Sequence, residues 1–339
     1  MMKRLFAFLA VLSLVLYGCA EAPEQTRPTE APVNNTVGIC LPDFSWSDRA
    51  QQLTQQLEAA GCQVLVECAG GDVQLQHSQV QTLVNMPVGC LVVVAIDSMS
   101  LNDVLTDAVP VIALDRMLLY TDEVAGCVAP DSYAAGQQLG RYIIQNKQLD
   151  TAEAPLTVEF FMGVPEEHNS LLFYQGVMEQ LQPYLNSGVL RCASGRTSLE
   201  DTYICSETVN DASERCFDYL AEFYSAEAPD ILVTASDVLA DGCIDSLISF
   251  GLEPGEGWPL IAGVGATEEG LENVSEGYQS VTLHMDTGAL VEQCARWVCD
   301  VIEGKPITGE TTSNGMIDVP TQLLPMVAVD AENCEEYLP

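Results

Sequence analysis

The sequence predicts an α/β protein with two doubly wound parallel-sheet lobes, and three observations lead to this fold class. Apolar runs of strand length alternate with helical patterns, which is typical of parallel sheets covered by helices on both faces. About 300 residues follow a polar N-terminal segment, more than one hydrophobic core usually organises. The alternation also occurs twice, because the second half of the chain repeats the plan of the first.

The first residues have the pattern of an export signal. Lys3 and Arg4 precede an apolar run that is too short to span a bilayer, which indicates a signal peptide. The run ends in LYGC at 16–19, which resembles a bacterial lipobox and implies lipid attachment at Cys19. We therefore expect residues 1–19 to be a lipoprotein signal peptide that anchors the exported protein to the outer face of the cytoplasmic membrane. An ordinary secretory signal cut nearby is the alternative.

The segment that follows and the overall charge restrict the partners. Residues 20–35, AEAPEQTRPTEAPVNN, contain three prolines and almost no core-forming side chains, which predicts a flexible tether. The chain has 12 Lys and Arg against 49 Asp and Glu, for a formal net charge of −37. With no basic stripe to neutralise phosphates, nucleic acid is not expected as a partner.

The elements of the first half form a βαβαβ pattern. Leu53 and Leu57 share one face of the first helix, and Gly61 ends that helix as a C-cap glycine would. The strands are expected at 37–42, 63–68, 91–95, 109–115 and 126–131, and the helices at 47–60, 74–86, 100–107 and 133–145.

The second half continues the alternation to the end of the chain. Its strands are expected at 157–163, 189–193, 230–235, 259–265 and 278–284, and its helices at 169–184, 210–223 and 240–250. A long helix at 286–303 and a last strand at 321–328 complete the prediction.

Polar side chains follow the predicted strands at their carboxyl ends. In open parallel sheets, ligands bind in the crevice at these ends, so such residues are candidates for a binding site. The candidates from the first half are Asp43, Trp46, Arg49, Asp97, Asp115 and Arg116, and those from the second half are His168, Asn169, Asp237 and His284.

The chemistry of these side chains suits a small polar ligand. Arg49 and Arg116 could donate paired hydrogen bonds to hydroxyl groups, and a carboxylate could accept from two hydroxyls at once. Asp115 and Arg116 could instead form a structural ion pair. Trp46 and the phenylalanines Phe44 and Phe173 could stack on the apolar face of a sugar ring, or could simply belong to the core.

Catalytic and metal-binding patterns are not found in the sequence. It contains no dinucleotide fingerprint, no phosphate-binding GK[ST] loop, no G-x-S-x-G elbow and no zinc spacing. We therefore expect neither enzymatic activity nor a cofactor or metal. Twelve cysteines remain besides Cys19, and Cys40, Cys68 and Cys90 lie in or beside apolar strand patterns, where a free cysteine acts as a small buried hydrophobe.

Three segments resemble a known family. They are VIALDRM at 111–117, GVPEEHNSLLFYQGVMEQLQPYLNSG at 163–188, and NGMIDVPTQLLPMVAV at 314–329. With them, the chain from about Val37 to Cys334 resembles periplasmic binding proteins of the ribose/galactose type, and in particular the xylose-binding and multiple-sugar-binding group. The resemblance implies a type I periplasmic binding protein fold, in which a ligand bound between the lobes favours a closed form.

The resemblance also implies a domain division and a function. It places three hinge crossings between an N-terminal lobe of 36–130 plus 285–312 and a C-terminal lobe of 131–284 plus 313–339. A monomeric, lipid-anchored protein would capture a xylose-like or glucose-like monosaccharide and deliver it to an ABC transporter permease. The family's ligand contacts, carried onto matching positions, are Asp115, Arg116, Asn169 and Asp237.

The sequence departs from the family at three places near the crevice. Arg49 stands one position later than the family's arginine, Gly265 replaces a ligand-binding aspartate, and Met285 replaces a lysine beside His284. A non-sugar small polar ligand is therefore an alternative to a monosaccharide. A second alternative is a sensor that presents its closed form to a membrane receptor.

Overall fold

A computed structural model describes residues 34–165, 167–225 and 227–338. The predicted signal peptide, Cys19 and the tether up to residue 33 lie outside the described residues. Within the described part, none of the helices is both long and apolar enough to cross a bilayer.

The first lobe is a seven-stranded sheet with helices on both faces. Its strands occur in the order β11-β12-β5-β4-β3-β1-β2, and only β11 is antiparallel to its neighbour. The strands are β1 Thr36–Leu41, β2 Gln63–Cys68, β3 Cys90–Val93, β4 Val111–Leu114, β5 Gly126–Pro130, β11 Thr311–Ser313 and β12 Asp318–Leu324. The helices that cover it are α1 Ser47–Ala59, α2 Val73–Val84 and α9 Thr287–Ile302.

The second lobe is a six-stranded sheet in the order β13-β10-β9-β8-β6-β7, with β13 antiparallel to β10. Its strands are β6 Leu156–Phe161, β7 Leu190–Arg191, β8 Ile231–Thr234, β9 Leu260–Ala262, β10 Val281–Met285 and β13 Met326–Asp330. Its helices are α3 Ser132–Asn146, α4 His168–Ser187, α5 Leu199–Thr202, α6 Val209–Tyr219, α7 Asp237–Ser249 and α8 Glu268–Glu276.

The two sheets share one strand order, which confirms the predicted repeat of a doubly wound unit. In each sheet the second strand along the chain is at one edge, next to the first, and later strands are added on the other side of the first. The central strands are apolar and fully covered, as parallel strands with helices on both faces must be. Cys40 and Cys90 are completely buried in these cores, and Cys68 is partly buried.

The chain crosses between the sheets three times, and one crossing differs from the prediction. The crossings lie between β5 and α3, between β10 and α9, and between β12 and β13. Residues 313–324, expected in the C-terminal lobe, belong to the first sheet because β12 pairs in parallel with β5. The third crossing is therefore at Pro325, and the single strand predicted at 321–328 is two strands in two sheets.

A predicted helix at 100–107 is also wrong. The segment forms turns, in which the amides of Val104 and Leu105 both donate to the carbonyl of Leu101. Leu101 is completely buried. The spacing of the apolar residues in this segment therefore comes from a single turn that packs against the core, and not from a helix. Two short helices, α5 and α8, were not predicted; their N-caps are the side chains of Ser198 and Thr267.

Candidate functional site

A cavity of about 240 Å³ lies between the lobes, where the carboxyl ends of the two sheets meet. Both lobes and the crossings contribute to its lining. The lining residues are Arg49, Asp115, Pro130, Ser132, Glu167, Asn169, Ser170, Phe173, Glu207, Ala235, Ser236, Val264, Gly265, Leu283, Met285, Thr287 and Met326.

Asp115 enters the cavity through an unusual backbone conformation. Directly after β4, it has a φ of 67°, in the left-handed region that non-glycine residues rarely adopt. Its amide donates to the carbonyl of Val128 at 2.7 Å, which fixes this turn against β5. Burial raises the pKa of Asp115 to about 6, even though the Arg116 guanidinium opposes that rise.

Arg116 lies beside the cavity and links the lobes. Its Nη1 donates to the carbonyl of Ala95 in the first lobe at 3.0 Å. Its Nε is 2.8 Å from Oε1 of Glu167 in the second lobe and 3.6 Å from Oδ2 of Asp115. The predicted Asp115–Arg116 pairing is therefore present at the longer distance, while the closer partner of Arg116 is Glu167.

Arg49 lines the cavity from the first lobe. It comes from the first turn of α1, and its guanidinium carbon lies 4.7 Å from the centre of the Trp46 ring. Trp46 itself is buried in the core of the first lobe, outside the cavity lining. Trp46 thus supports Arg49, and the structure does not place its ring where a ligand in this cavity would stack.

The start of α4 supplies the facing polar groups from the second lobe. Asn169 lines the cavity, and its Nδ2 donates to the carbonyl of Asp115 at 3.0 Å, so this contact also crosses between lobes. Glu167 and Ser170 line the cavity beside it. Phe173, one turn further along, lines the cavity and also packs in the core of the second lobe, so it is both a cavity residue and a core residue.

Glu207 is a lining residue that the sequence analysis did not identify. The segment before α6 runs beside the end of β6, where the amide of Ile204 donates to the carbonyl of Met162. This places Oε1 of Glu207 3.1 Å from the amide of Val164, from which it accepts a hydrogen bond. Burial and the nearby Glu167 raise the pKa of Glu207. Because this placement depends on a contact between distant segments, no local pattern could have revealed it.

Asp237 does not line the cavity, contrary to its predicted role. Its side chain is completely buried, with Oδ1 accepting from Gln279 Nε2 at 2.8 Å and from Thr282 Oγ1 at 2.7 Å. Oδ2 accepts from the amide of Thr267 at 2.9 Å. Asp237 therefore holds the loop that carries Val264 and Gly265, while the preceding residue, Ser236, lines the cavity.

Four other predicted residues also lie outside the lining. Asp43 and Asp97 turn their carboxylates to nearby backbone amides, accepting from Ser45 at 2.8 Å and from Met99 at 2.7 Å respectively. His168 is partly buried at the start of α4, and burial lowers its pKa. His284 points away because side chains alternate along β10, and its ring lies 5.0 Å from that of Tyr337.

Phe44 was a further candidate for stacking on a sugar ring. Phe44 is 75% exposed and lies outside the cavity lining. No group of three or more His, Cys, Asp or Glu side chains with a metal-binding arrangement occurs within residues 34–165, 167–225 and 227–338.

Comparisons with known proteins agree with this architecture. The multiple sugar-binding periplasmic protein SbpA of Azospirillum brasilense is 31% identical over 337 residues, covering 96% of this chain and 94% of that protein. The D-xylose-binding periplasmic protein of Escherichia coli is 25% identical over 309 residues, covering 88% of each chain. An ABC transporter solute binding protein from Clostridium phytofermentans, solved with bound β-D-glucose, is 30% identical with a TM-score of 0.82, covering 89% of this chain and 96% of that one.

The family match extends over most of the described chain. Residues 38–306 match the family described as periplasmic binding protein domain. This range includes strands of both sheets, though not β11, β12 and β13, and it includes two of the three crossings. The chain therefore belongs to the periplasmic binding protein family.

Proposed function

We propose that this protein is an exported, lipid-anchored solute-binding protein that captures a monosaccharide between its lobes and presents it to an ABC transporter permease. The observation that carries the proposal is the cavity between the carboxyl ends of the sheets. Its polar groups come from both lobes, with Arg49 and Asp115 on one side and Glu167 and Asn169 on the other.

The size and chemistry of the cavity support a single sugar ring. Its volume of about 240 Å³ is smaller than the roughly 300–1,000 Å³ typical of sites for drug-sized ligands. Carboxylates that accept and a guanidinium that donates match the hydroxyl groups of a sugar. Phe173 offers an apolar surface for a ring face.

The relatives support the same ligand class and role. The names of SbpA and of the xylose-binding protein state that they bind sugars, and the relative from C. phytofermentans holds glucose as an ABC transporter component. A protein that works by capture and release needs no reacting group, so we propose a non-enzymatic role. A monomer is sufficient for this role because one chain supplies both walls of the cavity.

A ligand screen tests the proposal. The purified protein is heated with each of a panel of pentoses, hexoses and deoxyhexoses, and the unfolding midpoint is recorded by differential scanning fluorimetry. At least one sugar should raise the midpoint, because a ligand that binds only the folded state stabilises it. Isothermal titration calorimetry then gives the affinity. A panel without any shift would contradict sugar binding.

Two asparagines on α4 provide a matched pair of variants. Asn169→Ala removes a cavity group and should weaken sugar binding at least about tenfold, the effect of losing one hydrogen bond of about 1.4 kcal/mol. Asn186→Ala alters an exposed residue near the other end of the same helix and should leave the affinity unchanged. Equal affinities of both variants would place the sugar elsewhere.

The lipid anchor is tested separately. We propose that Cys19 carries the lipid, on the basis of the LYGC sequence. The wild-type protein should partition into the detergent phase of a Triton X-114 extract, whereas Cys19→Ala should remain in the aqueous phase. Aqueous partitioning of the wild type would contradict the anchor and leave the binding function intact.

A further inference from the structure

The cavity has a polar end and an apolar wall. The polar end is formed by the groups already described, from Arg49 and Asp115 to Glu167, Asn169 and Glu207. The wall is formed by side chains without a hydrogen-bonding group of ordinary strength, namely Phe173, Ala235, Val264, Leu283, Met285 and Met326.

Four residues of the apolar wall adjoin one another because Leu283, Met285 and Met326 lie on neighbouring strands and Val264 follows the end of the next strand. Leu283 and Met285 are two residues apart on β10 and so face the same side. Met285 pairs with Met326 across the antiparallel β10–β13 ladder. Leu283 and Val264 meet through the hydrogen bond from the Gly265 amide to the Leu283 carbonyl, at 2.9 Å.

The backbone groups along this wall are also occupied. The amide of Leu283 donates to the carbonyl of Gly263 at 3.2 Å, and the amide of Gly263 donates to the carbonyl of Val281 at 2.9 Å. The hydroxyls of Ser236 and Thr287 also line the cavity, and Ser236 Oγ accepts from the amide of Leu239 while its O–H stays able to donate. A ligand hydroxyl pressed against the side chains of Val264, Leu283, Met285 and Met326, and not against these hydroxyls, would lose water without gaining a partner.

The charges along the cavity restrict the ligand further. Two guanidinium groups, that of Arg49 in the lining and that of Arg116 beside it, stand against the three carboxyl groups of Asp115, Glu167 and Glu207, which leaves one negative charge in excess. An added carboxylate or phosphate on the ligand would meet this excess of negative charge. Sugar acids and sugar phosphates are therefore disfavoured, and a neutral sugar is favoured.

We infer that, given the proposed sugar-binding function, the cavity selects a neutral 6-deoxyhexose, whose terminal methyl group contacts the wall of Val264, Leu283, Met285 and Met326. Its ring hydroxyls contact the polar end. The parent hexose carries a hydroxymethyl group at the same position and must bury its hydroxyl against the wall. A pentopyranose has no carbon there and leaves the wall uncovered.

Matched sugars test this inference. Isothermal titration calorimetry compares each hexose with its 6-deoxy form in the gluco, galacto and manno configurations, both D and L, together with the corresponding pentoses. For the configuration that binds best, the deoxyhexose should bind at least about tenfold more tightly than the parent hexose, the size expected for an unpaired buried hydroxyl. Glucuronate and galacturonate should bind more weakly than either.

A variant of the wall provides a second test. Met285→Gln keeps the length of the side chain and adds an amide, so it should reduce the preference for the deoxyhexose at least about threefold by giving the hexose hydroxyl a partner. Met316→Gln changes a methionine that is 59% exposed in the first lobe and should leave the preference unchanged. The variants are first shown to fold by their circular dichroism spectra.

The outcomes separate this inference from the proposed function. A hexose or pentose that binds as tightly as its deoxyhexose, or more tightly, overturns the methyl-selective wall while the sugar-binding function stands. Absence of binding by every sugar overturns both. An unchanged preference in a folded Met285→Gln variant also overturns the role assigned to the wall.

Discussion

The ionisation of Asp115 gives the cavity a pH dependence at the residue scale. Burial raises the pKa of this carboxyl group to about 6. An ionised carboxylate accepts from two sugar hydroxyls, whereas the protonated group has less accepting capacity. Ligand binding should therefore favour the ionised form and become weaker as the pH falls below about 6. The free energy of unfolding changes in the opposite direction. Because the pKa of Asp115 is raised in the folded state, this group makes the unfolding free energy smaller as the pH rises from about 4 to about 6.

Calorimetric titrations at several pH values test the binding effect. If the bound state requires the ionised Asp115, the dissociation constant at pH 5 should be about tenfold larger than at pH 7. Asp115→Asn keeps a residue type that tolerates positive φ and should remove most of this slope. Glu207, whose pKa is also raised by burial, would account for any slope that remains. A flat profile in the wild type would contradict the role of Asp115.

Asp237 provides a second prediction at this scale, which separates a structural role from a ligand contact. Asp237→Ala leaves the donors on Thr267, Gln279 and Thr282 without their buried acceptor. The free energy of unfolding should fall by about 3–5 kcal/mol, measured by urea denaturation followed by circular dichroism. Asp43→Ala removes one acceptor from a more exposed turn and should cost about 1 kcal/mol. Wild-type stability combined with lost sugar binding in Asp237→Ala would restore the ligand role that the sequence predicted.

At the scale of elements, the close approach of α3 and α4 positions the polar end of the cavity. A Cβ on Gly136 of α3 would lie 2.1 Å from the carbonyl oxygen of Phe173 and 2.8 Å from the amide of Val177, both backbone atoms of α4. A Cβ on Gly176 of α4 would lie 2.2 Å from the carbonyl oxygen of Tyr133. Glycine at both positions therefore allows the two helices to touch, and α4 carries Asn169 to the cavity.

Gly136→Ala should disturb this contact. The methyl group forces α4 away from α3, which should lower the unfolding free energy by about 1–3 kcal/mol and weaken sugar binding through the displaced Asn169. Thermal unfolding and calorimetry measure the two effects. Gly288→Ala is the control, because its Cβ meets only the Asp286 carboxylate at 3.2 Å and it lies in α9, where alanine is the better helix former. Equal stabilities of the two variants would contradict the requirement for close packing.

The elements that the sequence predicted are those whose patterns are local. The periods of strands and helices, and caps such as Gly61, gave the order of nearly all elements and the repeat of one unit. One strand was predicted at the end of the chain where there are two. Only the pairing of β12 with β5 and of β13 with β10 separates them. The segment at 100–107 failed because apolar spacing over a few residues fits a buried turn as well as a helix.

The candidate site shows the same division between local and distant information. Strand ends located Asp115 and Asn169, since ligands bind at the carboxyl edge of a parallel sheet. Asp237 also follows a strand, yet its carboxylate turns inward to donors from Gln279 and Thr282, which are distant in sequence. Met326 lines the cavity because it directly follows the third crossing, and only the sheet topology reveals where that crossing lies.

At the scale of the whole molecule, two contacts hold the lobes together across the cavity. One is the ion pair between Arg116 and Glu167, at 2.8 Å, and the other is the hydrogen bond from Asn169 to the carbonyl of Asp115, at 3.0 Å. Both side chains of the ion pair are about one-fifth exposed, so water screens their attraction less than at the open surface. The structure is therefore a closed arrangement, stabilised by contacts that do not require a ligand.

Arg116→Ala should shift the ligand-free protein toward an open arrangement. Loss of a charged contact of about 1.5–3 kcal/mol changes the ratio of closed to open molecules by about 10- to 150-fold. Small-angle X-ray scattering should give a larger radius of gyration for the ligand-free variant than for the ligand-free wild type, and a saturating sugar should reduce this difference. The apparent affinity should fall with the closed fraction, because the ligand must then supply the free energy of closure. Arg296→Ala breaks the exposed pair with Glu292 on α9 and should change neither the radius nor the affinity. Identical radii for the ligand-free wild type and the Arg116→Ala variant would show that the ion pair does not govern closure.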